Sequence, residues 1–159
     1  MRFPALVGLA LGLWLPAVVW GVADRPPKKD PAKEELEKLK GSWALVELAH
    51  DGTKYSPEGL KGRLTTIRGG KYTSTQDGKV VVAAVMTLDP SKKPRWLTMR
   101  YTGGANKGKT YLGIYDLSGD TLRLCIISDG KTRPKEFSAA AGTKSTLAVF
   151  KRVKLRPPK

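Results

Sequence analysis

The sequence contains one cysteine and one histidine in 159 residues. A lone cysteine excludes an intramolecular disulfide framework, and together with a single histidine it cannot supply a four-ligand Cys/His zinc site. The fold must therefore be stabilised by apolar burial, and neither a metal nor a cofactor is expected. Acids are also scarce: 14 Asp and Glu stand against 29 Lys and Arg, a formal net charge of +15. No Walker-type loop, dinucleotide fingerprint, Gly-x-Ser-x-Gly elbow or carboxylate-rich calcium loop occurs.

These shortages weigh against enzymatic chemistry. Nucleophilic catalysis needs a base beside the nucleophile, and His50-Asp51-Gly52 reads as the end of a strand entering a turn. Cys125 has Arg123 two residues away on one strand face, which could lower a thiol pKa, but a buried structural thiol is the simpler reading. Paired-carboxylate chemistry has few candidates: Glu47, Asp116 and Glu136. Glu47 shares a strand face with Trp43 and Leu45 by simple alternation, with an outer solvated position or a partner in Arg133 or Arg152 as the ordinary reading. No catalytic residue is assigned.

Residues 1–23 carry one cation, Arg2, then an uncharged apolar run from Phe3 to Val22, then Gly21-Val22-Ala23. That pattern fits a secretory signal cleaved after Ala23, which implies a periplasmic or extracellular protein. The alternative is an uncleaved anchor, since the run is long enough to span a bilayer as a helix. Residues 24–29 hold two prolines and no apolar side chain, as expected of a disordered basic tether. Asp30 suits an N-cap, Pro31 a first helical position and Gly41 a stop, so a short helix is expected over Pro31–Lys40. A domain over residues 30–153 and a basic tail over 154–159 complete the division.

From Ser42 onward, short β-branched and aromatic runs alternate with turn chemistry. Eight strands are expected: Trp43–His50, Arg63–Arg68, Lys71–Gln76, Val80–Leu88, Arg95–Tyr101, Thr110–Leu117, Thr121–Ile127 and Thr146–Val153. Gly69-Gly70, Asp77-Gly78 and Ser118-Gly119-Asp120 favour tight hairpins, because glycine takes positive φ without steric cost. Short separators imply antiparallel neighbours, and eight of them suit an all-β, eight-stranded up-and-down barrel with a short N-terminal helix. Alternation places Leu97, Met99 and Tyr101, then Leu122, Leu124 and Ile126, then Leu147 and Val149 inside, with Arg100 and Arg123 facing water. The strand at Thr110–Leu117 is apolar on both faces, so alternation leaves its orientation open.

Gly41-Ser42-Trp43, after a short helix and opening the first strand, resembles the Gly-x-Trp signature of lipocalins. More specifically, the chain from about Leu36 to Val153 resembles a family of uncharacterised secreted lipocalin-like domains known chiefly from planctomycete bacteria. The matching segments are Leu39-Lys40-Gly41-Ser42-Trp43, Leu88-Asp89-Pro90-Ser91-Lys92-Lys93-Pro94, Lys107-Gly108-Lys109-Thr110, the run Leu112 to Leu122, Cys125, and Arg133-Pro134-Lys135-Glu136-Phe137. The resemblance implies a barrel whose end is closed by Trp43, covered by a basic residue of the last strand, Arg152 in preference to Lys151. It implies export, and it transfers no activity or ligand. Trp96 and Ala139-Ala140-Ala141 depart from the family pattern.

Two binding functions follow. A barrel with an interior lined by Leu97, Met99, Tyr101 and Leu124 suits a small apolar or amphipathic ligand. Alternatively, the charge makes a module for anionic envelope polymers, a membrane surface or nucleic acid. From Pro90 to Tyr115 there are six cations and no acid, with Lys92, Lys93, Lys107 and Lys109 as candidate anion contacts; from Phe137 to Lys159 there are six more cations, again with no acid. No RNP-like motif is present, so sequence-specific nucleic-acid binding is not expected. A monomer is expected.

Overall fold

The computed structural model describes residues 29–154; the expected signal segment 1–23, nearly all of the expected tether and nearly all of the expected basic tail lie outside the described residues. The chain begins with helix α1, Pro31–Leu39, whose N-cap Asp30 accepts a hydrogen bond from the Ala32 amide. Strand β1, Gly41–His50, follows, then a two-residue strand β2, Thr53–Lys54, and a single helical turn α2, Pro57–Leu60. The remaining strands are β3 (Arg63–Arg68), β4 (Lys71–Gln76), β5 (Lys79–Asp89), β6 (Arg95–Gly104), β7 (Thr110–Ser118), β8 (Thr121–Ile127) and β9 (Ser145–Val153). Every neighbour is antiparallel, and β1 pairs with β9 as well as with β3. That last pairing closes eight strands, β1 and β3 to β9, into an up-and-down barrel and leaves only the stub β2 outside the ring.

The turns are the ones that glycine chemistry dictates. Gly69 and Gly70 sit at φ 52° and 81°, and Asp77-Gly78 at 49° and 79°, values that suit the twist of a two-residue hairpin. Each strand of the ring starts where a turn ends, so all eight expected strands are found, shifted by at most three residues at an end.

The barrel has two unlike ends. At one, α1 lies across the opening, and Leu36, Leu39, Trp43, Ile67, Leu88, Leu97, Tyr115 and Leu122 fill the interior. At the other, the interior stays open beneath the β1–β3 connection and the turn between β6 and β7. A third feature is the connection from Ser128 to Lys144, which doubles back over the outer face of β6, β7 and β8. Arg133 from this strap donates to the carbonyls of Leu97 and Gly113 and lies 4.5 Å from the centre of the Trp96 ring. Arg123 stacks on Phe137 at 4.7 Å, and the Cys125 thiol donates to Ser138 O at 3.2 Å.

The strap explains why β7 is apolar on both faces. Tyr111 and Tyr115 point inward, whereas Ile114, also fully buried, faces out beneath the strap beside Cys125. Two readings from simple alternation need correction, although the outer, solvated position expected of Glu47 is the one observed. On β9 the interior residues are Thr146, Ala148 and Phe150, not Leu147 and Val149; Phe150 is 1% exposed, whereas Leu147 lines an outer groove with Val46 and Tyr55. The outward side of β9 carries branched apolar residues because it adjoins that groove, so hydrophobicity there does not mark the core. On β1 a bulge between Leu45 and Glu47 adds one residue, so Trp43 and Leu45 point in, then Leu48 and His50, and Glu47 is turned out to solvent.

Candidate functional site

The closed end is built around Trp43. Its ring is fully buried, its indole Nε1 donates to Leu39 O at 2.9 Å, and the Arg152 guanidinium covers it at 4.2 Å. Arg152 also donates to Lys38 O and Lys40 O, both at 2.8 Å, so one side chain satisfies carbonyls at the C-terminus of α1 and holds the helix over the barrel. Its Nε lies 3.3 Å from Asp120. Lys151 points out and reaches Thr121 instead.

Beside this plug, Glu35 is 6% exposed yet paired. It meets Lys38 at 2.6 Å and Arg95 at 3.0 Å, and accepts from the Tyr115 hydroxyl at 3.3 Å. Arg95 bridges onward to Asp116, which also binds Arg123. Burial pushes the Glu35 carboxyl up, but the Lys38 hydrogen bond and the Lys38 and Arg95 charges outweigh it and hold the group below its ordinary value. Burial, reinforced by the Glu35 charge, raises the Tyr115 phenol. This network seals an end; among the described residues it holds no group left free to react.

The open end leads into a cavity of about 400 Å³, within the ordinary small-molecule range of roughly 300–1,000 Å³. Its wall divides by sector. Met99, Leu124, Ile126, Ala148 and Phe150, from β6, β8 and β9, form an apolar side, continued by Leu45 and Leu48 of β1. Arg63, Tyr72 and Ser74, from β3 and β4, form a polar side. Tyr101 and Tyr111 pack edge to face with centroids 5.0 Å apart, and the Tyr111 hydroxyl donates to Asn106 at 3.0 Å. At the rim His50 Nδ1 lies 2.9 Å from the Thr146 hydroxyl. Burial pushes the phenols of Tyr72 and Tyr101 up, so both stay protonated and able to donate.

Met99, Tyr101 and Leu124 line this cavity, whereas Leu97 is fully buried in the closed half and is not part of the wall. Alternation passed over Arg63, although Arg63, Thr65 and Ile67 share one strand face, with Thr65 and Ile67 buried. Arg63 forms no ion pair among the described residues, and its Nε is shielded from water without a hydrogen-bond partner. Thr65 Oγ1, near the Tyr72 phenol, is buried without a well-formed hydrogen bond. An unmade bond at a buried polar atom costs about 1–3 kcal/mol, and more at a charged one.

The four surface lysines do not form one patch. Lys92 and Lys93 lie on the turn before β6, at the closed end, and Lys107 and Lys109 on the turn after it, at the open end. The ten residues of β6 separate them by about 30 Å along the strand at ~3.3 Å per residue. Lys92 is engaged with the Trp96 ring at 5.0 Å. Cys125 is buried, and burial raises its thiol pKa, the opposite of what a nucleophile needs. No group of three or more His, Cys, Asp or Glu side chains placed to hold a metal occurs among the described residues.

Fold and cavity together define an all-β, lipocalin-like barrel: eight antiparallel strands, one end plugged by tryptophan and helix, the other open to a half-polar interior. Compared with protein-family models, curated proteins and solved structures, the chain matches none.

Proposed function

We propose that this protein is an exported, non-enzymatic binder of a small amphipathic ligand held in the barrel, and that it belongs to the secreted lipocalin-like family whose motifs it resembles. The observation that carries the reading is the cavity: about 400 Å³, open at one end, apolar on one side and polar on the other. A packed structural barrel would fill that space with side chains, as the closed half does. The buried thiol, and a cavity lining without a carboxylate among the described residues, support a binding role over catalysis.

The test is fluorescence titration with the neutral apolar probe N-phenyl-1-naphthylamine. Saturable one-to-one binding at micromolar concentration is expected, weakened in order by Ala148→Leu and Ala148→Phe, which place bulk in the wall. Unchanged binding in both variants would place the probe elsewhere and sink the reading.

A further inference from the structure

Among the described residues, the cavity wall contains one fixed cation, Arg63, and no carboxylate. A guanidinium at a protein surface is solvated or paired; here, among the described residues, Nε is hidden from water and has no hydrogen-bond partner, although the side chain opens onto the cavity. The surrounding hydroxyls are neutral and leave its charge uncompensated. Ser74 and Tyr72 stand on β4, and Thr65, two residues along β3 and 1% exposed, faces Ser74 across the ladder. The phenols of Tyr72 and Tyr101 are held protonated by burial, so they can donate to an anion but cannot neutralise the arginine. Opposite lie Met99, Leu124, Ala148 and Phe150, which offer nothing polar, with the hydroxyls of Thr146 and Ser128 nearer the mouth.

We infer that the ligand carries a carboxylate bound by Arg63 at the β3–β4 wall, with its apolar body against β6, β8 and β9. Among the described residues the two terminal guanidinium nitrogens are neither bonded nor shielded, and such a pair presents two parallel donors, a geometry matched by the two oxygens of a carboxylate. One unpaired cation calls for one negative charge, whereas a phosphate monoester brings close to two. The ligand class is therefore an apolar monocarboxylic acid with a short or folded body, sized to about 400 Å³. This inference rests on the cavity-binding reading above and adds the chemistry of the headgroup.

The experiment compares two fluorescent probes of equal shape, cis-parinaric acid and its methyl ester, with decanoate and decyl phosphate as competitors. The acid is expected to bind about 10- to 100-fold more tightly than the ester, the range for a charge-assisted hydrogen bond. Arg63→Gln should abolish that preference by weakening acid binding far more than ester binding, with an unchanged far-UV circular dichroism spectrum and thermal melt showing that the variant is folded; Arg63→Lys should retain part of the preference. Decanoate should displace the acid better than decyl phosphate does. Equal affinity for acid and ester, a preference that survives Arg63→Gln, or a decyl phosphate advantage would overturn the carboxylate inference. If both probes bind equally and Ala148→Phe weakens both, the cavity reading survives without it. If neither probe binds, both readings fall.

Discussion

Replacing Trp43 by alanine tests whether the plugged end is an energetic keystone of the fold. The indole is fully buried, donates to Leu39 O and lies under Arg152. Removing a large buried aromatic costs about 3–5 kcal/mol, of which the hydrogen bond accounts for about 1 kcal/mol and the cation–π contact for ~0.5–2 kcal/mol. For a domain of this size, 1 kcal/mol moves Tm by about 4 °C, so a fall of roughly 12–20 °C is expected. Urea denaturation followed by far-UV circular dichroism reads the loss without relying on tryptophan emission. The slope with denaturant should stay constant, because the unfolded chain exposes nearly the same area. A double-mutant cycle with Arg152→Met should show a coupling of about 0.5–2 kcal/mol. A loss below about 1 kcal/mol for Trp43→Ala, against the 3–5 kcal/mol expected, would show that the burial and the stacking are incidental to stability.

Three further outcomes follow from named contacts. The depressed pKa of Glu35 makes its stabilisation complete above the ordinary carboxyl range near pH 4.5 and progressively lost as pH falls through the folded-state value; Glu35→Gln should flatten that acid limb in melts run from pH 6 to pH 3, and an unchanged limb would refute the assignment. Arg133→Met should release the strap, destabilise the fold by about 2 kcal/mol or more through the stranded carbonyls of Leu97 and Gly113, and speed thiol-reagent attack on Cys125 at least tenfold; an equally slow thiol would mean that the strap does not guard it. Heparin should bind weakly and with steep salt dependence, and charge reversal of Lys92 with Lys93 or of Lys107 with Lys109 should each remove part of the binding, additively, because the pairs lie at opposite ends; complete loss from either pair alone would reveal a local site.

The strand positions were readable because turns with glycine or Asp-Gly punctuate the chain at almost every corner. Side-chain orientation was readable only where one face is polar. On β6, Trp96, Thr98 and Arg100 mark the outside clearly, and Leu97, Met99 and Tyr101 fall inside as alternation predicts. On β7 the outward Ile114 is covered by the strap, a long-range contact that no local pattern announces. On β1 a single extra residue at the bulge reverses the parity beyond Leu45. Arg63 was missed because an arginine on a β-branched strand is ordinarily solvated, and only closure of the barrel brings it to a wall shared with Tyr72 and Ser74. The pairing of Arg152 with Trp43 was suggested by the Gly-x-Trp resemblance, whereas the Glu35–Arg95–Asp116 network, spanning three elements, had no signal in local spacing.

Chain direction around the ring has a practical meaning for handling the molecule. Because α1 crosses the plugged end and β9 runs from the cavity rim back to it, the described chain enters and leaves at the same pole, away from the opening. A fusion partner, surface linker or affinity handle attached directly before α1 or directly after β9 would therefore hold the protein by its sealed base. The mouth would face outward, like a cup fixed by its foot, leaving the cavity of immobilised protein as accessible as that of protein in solution.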